Sequence, residues 1–266
     1  MRLQLRRLAR HWARNRVVTG VFLLLLILAS SVSVMFAEHI RNADEVYAEY
    51  YDVTNLGDLF ATGPDGFTYE ASALERACAS TPDTAGLAIA ACESRMVIRG
   101  EYAHSEAQRT FLAEAKGCSS LAACDDDVIT TATLVVHGME VTDDGLGRIN
   151  RPYVAEGWGR HAEGPNEVVL DHVVKEETGV DLGDSVTFVL NGTSVEFDIV
   201  GFASQPDHAY YVPSADVLVP VPGSLVAAYV NRTALLEHLD EDPEVRNRLL
   251  VDVEGTPAYD FPETPE

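Results

Sequence analysis

The sequence predicts an α+β protein: a single N-terminal transmembrane helix, then a mixed α/β extracytoplasmic domain with two βαβ-like halves and a β-hairpin-rich region inserted between them. Three observations predict it. Val17 to Ala37, VVTGVFLLLLILASSVSVMFA, is a run of 21 residues without a charge. Beyond it, β-branched runs alternate with segments of helical composition at 50–102 and again at 225–253. Between those two stretches, Asn191-Gly192 is flanked by alternating apolar residues, a hairpin signal.

At the N-terminus, residues 1–16 are basic, and Leu5, Leu8 and Trp12 fall three and four apart among the arginines. That spacing predicts an amphipathic elbow helix lying on the inner leaflet. At about 1.5 Å per residue the run 17–37 spans roughly 31 Å, close to the thickness of a hydrocarbon core. The arginines ahead of it place the N-terminus in the cytoplasm. A cleaved signal peptide with Leu23 to Leu28 as its apolar centre is the alternative reading. Against it, the apolar run is long, and Met35-Phe36-Ala37 lacks a small residue at its first position. On either reading, the residues after Ala37 lie outside the membrane.

Charge and cysteines agree with that compartment. Six of the 19 basic residues are arginines at or before Arg16, and no Asp or Glu precedes Glu38. The rest of the chain holds 13 basic against 42 acidic residues, a formal charge of −29. Such a surface repels phosphate backbones and excludes nucleic acid as a partner. All four cysteines, Cys78, Cys92, Cys118 and Cys124, fall in the exported part, where disulfides persist. Three pairings are open. Cys78–Cys92 with Cys118–Cys124 is favoured, because each bond closes a short local loop.

Within the exported part, Glu45 to Leu59 reads as an extended segment, with Tyr51, Val53 and Leu56 inward and Gly57-Asp58 as a break. Gly63 to Gly66 is a turn. Tyr69 to Ala79 is helical in composition, with Thr68 as N-cap and Leu74, Ala77 and Cys78 on one face. Gly86 to Tyr102 is strand-rich around Met96-Val97-Ile98, and 104–127 reads as a small polar insertion. Thr131 to Val136 is a β-branched strand. Asn166 to Leu170 is a strand, and Asp171 caps a helix that ends at Gly179. Ser185 to Leu190 and Thr193 to Gly201 are the two arms of the hairpin, with Val195, Phe197 and Ile199 inward and Glu196 and Asp198 outward. Strand, helix and strand recur at Leu225–Val230, Thr233–Leu239 and Arg248–Val253. The last residues, 255–266, carry three prolines and no apolar periodicity, and read as a disordered tail.

These residues resemble the first membrane helix and MacB-like periplasmic core domain of FtsX-like, MacB-type ABC transporter permeases. LRRLARHWARNR is similar to that family's elbow helix, and EYYDVTNLGDLFA to its first core strand. PNEVVLDHVVKEETGVDLGDSVTFVLNGTSVEFDIVGFASQP resembles its most distinctive block: a helix, the Gly183-Asp184 turn, a hairpin, and the Val200-Gly201 step. SLVAAYVNRTALLEHL matches its return strand and helix. The resemblance covers most of residues 1–254. It implies a discontinuous βαβ-based subdomain at 44–104 and 222–254, an insertion and connecting strand at 105–149, and a β-rich inserted subdomain at 150–221. It also implies a cytoplasmic ABC ATPase on a separate chain, a further permease subunit or second copy, and contact with membrane lipid. Permeases of this family carry further transmembrane helices, whereas the sequence ends at Glu266. It therefore reads as part of such a permease or as a stand-alone anchored relative.

Catalytic chemistry is not expected. The sequence has no Walker A motif, no G-x-S-x-G and no Cys–His arrangement, so no catalytic residue or cofactor is assigned. His172 and Glu176 stand four apart on a helix, and Asp125-Asp126-Asp127 and Asp143-Asp144-Gly145 are acidic loops. None has a complete metal-ligand spacing, and no metal is expected. Asn191-Gly-Thr and Asn231-Arg-Thr are formal glycosylation sequons. The residues singled out are therefore structural: Gly183, Asp184, Asn191, Gly192 and Gly201 as turn positions, and the four cysteines.

Overall fold

Helix α1 (Arg16–Thr54) opens the computed structural model, which describes residues 16–63, 67–79, 88–121, 124, 130–208, 219 and 221–254. The elbow segment 1–15, the turn residues 64–66, the acidic run 125–127 and the tail 255–266 lie outside the described residues. The chain divides into two units, residues 1–50 and 51–266.

The first unit is the body of α1. Among the described residues it is the one helix long and apolar enough to cross a membrane, and its apolar window is 0% buried by protein. Phe22, Leu24 and Phe36 are all exposed. Ser30 and Ser33 turn their hydroxyls back to Ile27 O and Ala29 O, both at 2.9 Å. Their polar groups are therefore satisfied within the helix, as an apolar solvent requires. The extended segment expected over Glu45–Leu59 is not formed, because α1 runs through it to Thr54. No glycine or proline stands between Ala37 and Leu56. A helix begun in the apolar run therefore meets no breaker where the charges start. Val53, expected inward, is 40% exposed.

The second unit contains the sheet. Its strands are β1 (Leu59–Thr62), β2 (Tyr69–Glu70), β3 (Ile89–Ala103), β4 (Thr131–Met139), β5 (Val141–Thr142), β6 (Gly145–Leu146), β7 (Glu167–Asp171), β8 (Ser185–Leu190), β9 (Thr193–Ala203), β10 (Leu225–Asn231), β11 (Val245–Arg246) and β12 (Arg248–Val253). Its helices are α2 (Ala71–Ala79), α3 (Glu106–Ala115), α4 (His172–Thr178) and α5 (Arg232–His238). Eight strands pair in the order β1-β12-β3-β4-β10-β7-β9-β8. The 15-residue β3 pairs with β12 along its first half and with β4 along its second. At Glu101 and Tyr102 its other edge also meets β8. That pairing closes six strands, β3-β4-β10-β7-β9-β8, into a ring without free edges.

Two split βαβ units are built into this sheet. β1 and β3 both run antiparallel to the β12 between them, with α2 as crossover. β10, α5 and β12 form the second, with β4 and β3 lying between its strands. β10 is buried along Leu225–Val230: β4 and β7 pair with its edges, and α4 and α5 pack against it beside the core. A strand covered on both faces reads as an unbroken apolar run, as LVAAYV does. The core beside it includes Tyr102, Phe188 and Phe197, with the two phenylalanine rings 5.2 Å apart.

Local signals act as their chemistry requires. Asp171 caps α4 by accepting from Val173 N, and Gly179 ends it at φ 71°. Asn191 and Gly192 take φ 50° and 81° in the turn between β8 and β9. Along β9, Val195, Phe197 and Ile199 are buried, while Glu196 and Asp198 are exposed. The helix expected from Tyr69 begins at Ala71, after the short strand β2, and its Ala77 is exposed rather than facing inward. The polar stretch after 104 contains a helix that its composition does not suggest. Ser105 and Gln108 form a reciprocal capping box at the start of α3. Cys78 is bonded to Cys92 and Cys118 to Cys124.

Candidate functional site

The site begins at the end of α1. The last carbonyls of a helix have no partner within it and must find one elsewhere. Asn55, at φ 52°, turns the chain, and Leu56 N returns to Tyr51 O at 3.0 Å. Asn55 N donates to Asp52 O at 3.2 Å, and the last two helix carbonyls, with that of Asn55, are taken by residues 148–151. Arg151 N donates to Thr54 O at 2.7 Å, and Arg151 Nη2 to Val53 O at 2.7 Å. Asn150 N donates to Asn55 O at 2.8 Å, while Asn55 Nδ2 donates to Arg148 O at 2.9 Å. Asn150 Oδ1 accepts from Gly57 N at 2.7 Å. The Arg151 guanidinium also places positive charge at the negative end of the helix dipole. The result is a clasp on the final turn of the helix.

The clasp is anchored in the interior. Glu93 Oε2 accepts from Arg148 N at 2.5 Å and Ile149 N at 2.9 Å, and its Oε1 accepts from Arg95 Nε at 2.6 Å. Arg95, with no exposed side-chain surface, also donates through Nη2 to Ile149 O. Glu93 and Arg95 stand two apart on β3, so the pleat aims both at the same face. The segment enters through Gly147 at φ 74°. A Cβ there would come within 2.5 Å of Met139 Cε and 2.9 Å of Arg95 Nη2, so only glycine fits.

A second layer joins the clasp to β4 and β12. Asn150 Nδ2 donates to Asp207 Oδ1, and Arg248 Nη1 lies 3.1 Å from Asp207 Oδ2. Gln205 Nε2 donates to Asn150 O at 2.7 Å. Beside Asp207, His208 Nε2 meets His137 Nε2 at 2.9 Å, so one ring donates and the other accepts. Burial holds His137 well below the ordinary imidazole range, and the facing His208, Arg248 and Arg95 add to the effect. Burial also lowers His208, although Asp207 and Asp171 pull the other way. Tyr229 packs on His137 and donates to Asp171 Oδ2 at 3.3 Å. Buried charges of this kind need their partners to be present together.

The residues singled out from the sequence sit elsewhere. Gly183 and Asp184 form a turn held to β9: Gly183 N donates to Ile199 O at 2.9 Å, and Ile199 N to Asp184 O at 2.8 Å. Asp184 Oδ2 accepts from Asp181 N at 2.8 Å. Gly201 meets Gly159 in a bridge, where a Cβ would collide with Arg160 O. Asn191 and Gly192 close the opposite end of the same hairpin. His172 stacks on Trp158 and lies 3.3 Å from Asp171 Oδ1. Among the described residues no group of three His, Cys, Asp or Glu is placed to hold a metal. The Asn231 side chain is the N-cap of α5 and also donates to Glu163 O. Of the clasp residues only Val53 and Gly57 stand out in the sequence, as an inward position and a break rather than as parts of a clasp. Their one signal is an acid and a base two apart, Glu93 and Arg95, inside a strand-forming run.

No family model matches the chain, and no curated protein matches it. Among solved structures it is similar to the periplasmic region of MacB from Actinobacillus actinomycetemcomitans, with 13% identity and a TM-score of 0.38, covering 74% of this chain and 73% of that one.

Proposed function

We propose that the chain is the first membrane helix and extracytoplasmic domain of an FtsX-like ABC transporter permease. In this reading it passes ATP-driven motion of a separate cytoplasmic ATPase to a substrate or partner outside the membrane, and it catalyses no reaction itself. The observation that carries the reading is the clasp. A helix that moves with a membrane assembly does mechanical work only if its end is fastened to what it moves. Here the turn Val53–Asn55 is fastened by backbone and side-chain bonds to 148–151, and that segment is pinned by Glu93 and Arg95. The arginines before Val17, the acidic sequence after Ala37 and the two disulfides support an N-terminus inside and a folded unit outside. The sequence resemblance at 165–206 and 224–239 supports the family.

The test is purification of the full-length chain from native membranes, with mass spectrometry of what comes with it. A soluble ABC ATPase and a multi-span permease subunit are expected. Recovery of neither, from intact protein in the expected orientation, would replace the reading with a stand-alone membrane-anchored binding module.

A further inference from the structure

An open cavity of about 560 Å³ lies against β3 and α2, beside the Cys78–Cys92 bond. Three of the 13 basic residues beyond Arg16 line it, Arg148, Arg232 and Arg246, in a region whose formal charge is −29. Three carboxylates, Glu75, Glu93 and Glu140, line the same cavity. Arg246 is only 4% exposed. Its Nη1 is spent on Pro243 O and Val245 O, at 2.6 and 2.7 Å. Its Nε is buried and finds no hydrogen-bond partner among the described residues. Burial, and then the like charge of Arg232, push Arg246 below the ordinary arginine range. A buried guanidinium beside another cation, with a donor unused, is a local energetic deficit that a bound anion removes.

The carboxylates at the cavity do not supply that anion. Both oxygens of Glu93 are engaged by Arg95 and by the amides of Arg148 and Ile149. Glu140 lies 3.5 Å from the exposed Arg148. Glu244, Glu75 and Glu140 attract Arg246 at longer range, without a direct ion pair to it among the described residues. Arg232 donates one N–H to Ser94 O at 3.2 Å, which fixes its fork and leaves further donors for a ligand. A cation would need unengaged carboxylates, and no metal-binding group of three occurs among the described residues.

We propose that this cavity binds a small oxyanion, the phosphate or carboxylate group of an extracytoplasmic solute, through Arg232 and Arg246. The proposal is independent of the transport reading. The test is calorimetric titration of the full-length chain, in nanodiscs of zwitterionic lipid, with inorganic phosphate and then with succinate. Saturable binding of one oxyanion per chain is expected, weakening as salt is added. Arg232→Gln, at a half-buried position outside the clasp, weakens it at least tenfold while the unfolding midpoint stays near that of the parent. Glu75→Gln tightens it, because one of the carboxylates that attract Arg246 is gone. Absence of saturable binding by either probe, or binding that Arg232→Gln leaves unchanged, overturns the proposal. Repeating the titration in phosphatidylglycerol nanodiscs separates the sources. Unchanged phosphate affinity supports a free solute, and loss of phosphate binding to the lipid overturns that assignment in favour of a headgroup.

Discussion

Arg95 brings together parts of the chain distant in sequence. It pairs with Glu93 on its own strand, donates to Ile149 O, and lies 4.0 Å from Asp207. Removing one member of such a set leaves the others buried and uncompensated, which costs more than the pair contributes. Arg95→Met is expected to destabilise the second unit, residues 51–266, by roughly 3–5 kcal/mol, read as a lower urea midpoint. Glu93→Gln in the same background should recover part of that loss, because the uncompensated charge is gone while the side-chain oxygen can still accept from the 148–149 amides. The His137–His208 pair makes a second prediction. Burial lowers both rings from 6.5, so below that pH the unfolded chain binds more protons than the folded one. Stability is then complete above pH 6.5 and declines as pH falls through and below it. The facing charges are Asp207, Asp171, Arg248, Arg95 and Arg99, with Tyr229 packed on His137. His137→Gln, neutral at every pH, should flatten urea midpoints between pH 7 and 5. An equal slope in parent and variant would rule the pair out as the source.

Among the elements, α3 gives the simplest test. Its capping box joins Ser105 Oγ to Gln108 N at 3.3 Å and Gln108 Oε1 to Ser105 N at 2.7 Å. Ser105→Ala should cost about 1 kcal/mol, measured by thermal unfolding. The box stands in the sequence as Ser-x-x-Gln, yet α3 is hard to anticipate, because its surroundings are small and polar. Elements with their own chemistry are legible. Asp171 and Gly179 bracket α4, Asn191-Gly192 makes its turn, and LVAAYV is the doubly covered strand β10. The end of α1 is not legible in the same way. A change from apolar to charged residues marks where lipid ends, but a helix stops only where a breaker or a cap stops it. Here that is Asn55 ahead of Gly57, not Ala37. Nor can the clasp be read. It depends on Asn55 meeting Asn150 and on Glu93 meeting residue 149, and no local pattern encodes a meeting across such separations. The closure of β8 on β3 is hidden for the same reason.

For the whole molecule, one helix is continuous from the apolar run to Thr54, and its final turn belongs to the folded unit that carries the sheet. Glu93 and Arg95 on β3, Asp207 ahead of His208, and Arg248 on β12 tie that turn to three separate parts of the fold. On the proposed function, force arriving at Thr54 would pass through these hydrogen bonds to β3 and β12. The most direct measurement of this coupling is amide hydrogen exchange in the complex purified from native membranes, with and without ATP. The amides of Asn150 and Arg151 donate to Asn55 O and Thr54 O, so they report on the clasp itself. If the proposed function holds, these exchange rates change when ATP is bound and hydrolysed in that complex. The same rates with and without ATP, in a complex shown to be hydrolysing it, would contradict the account.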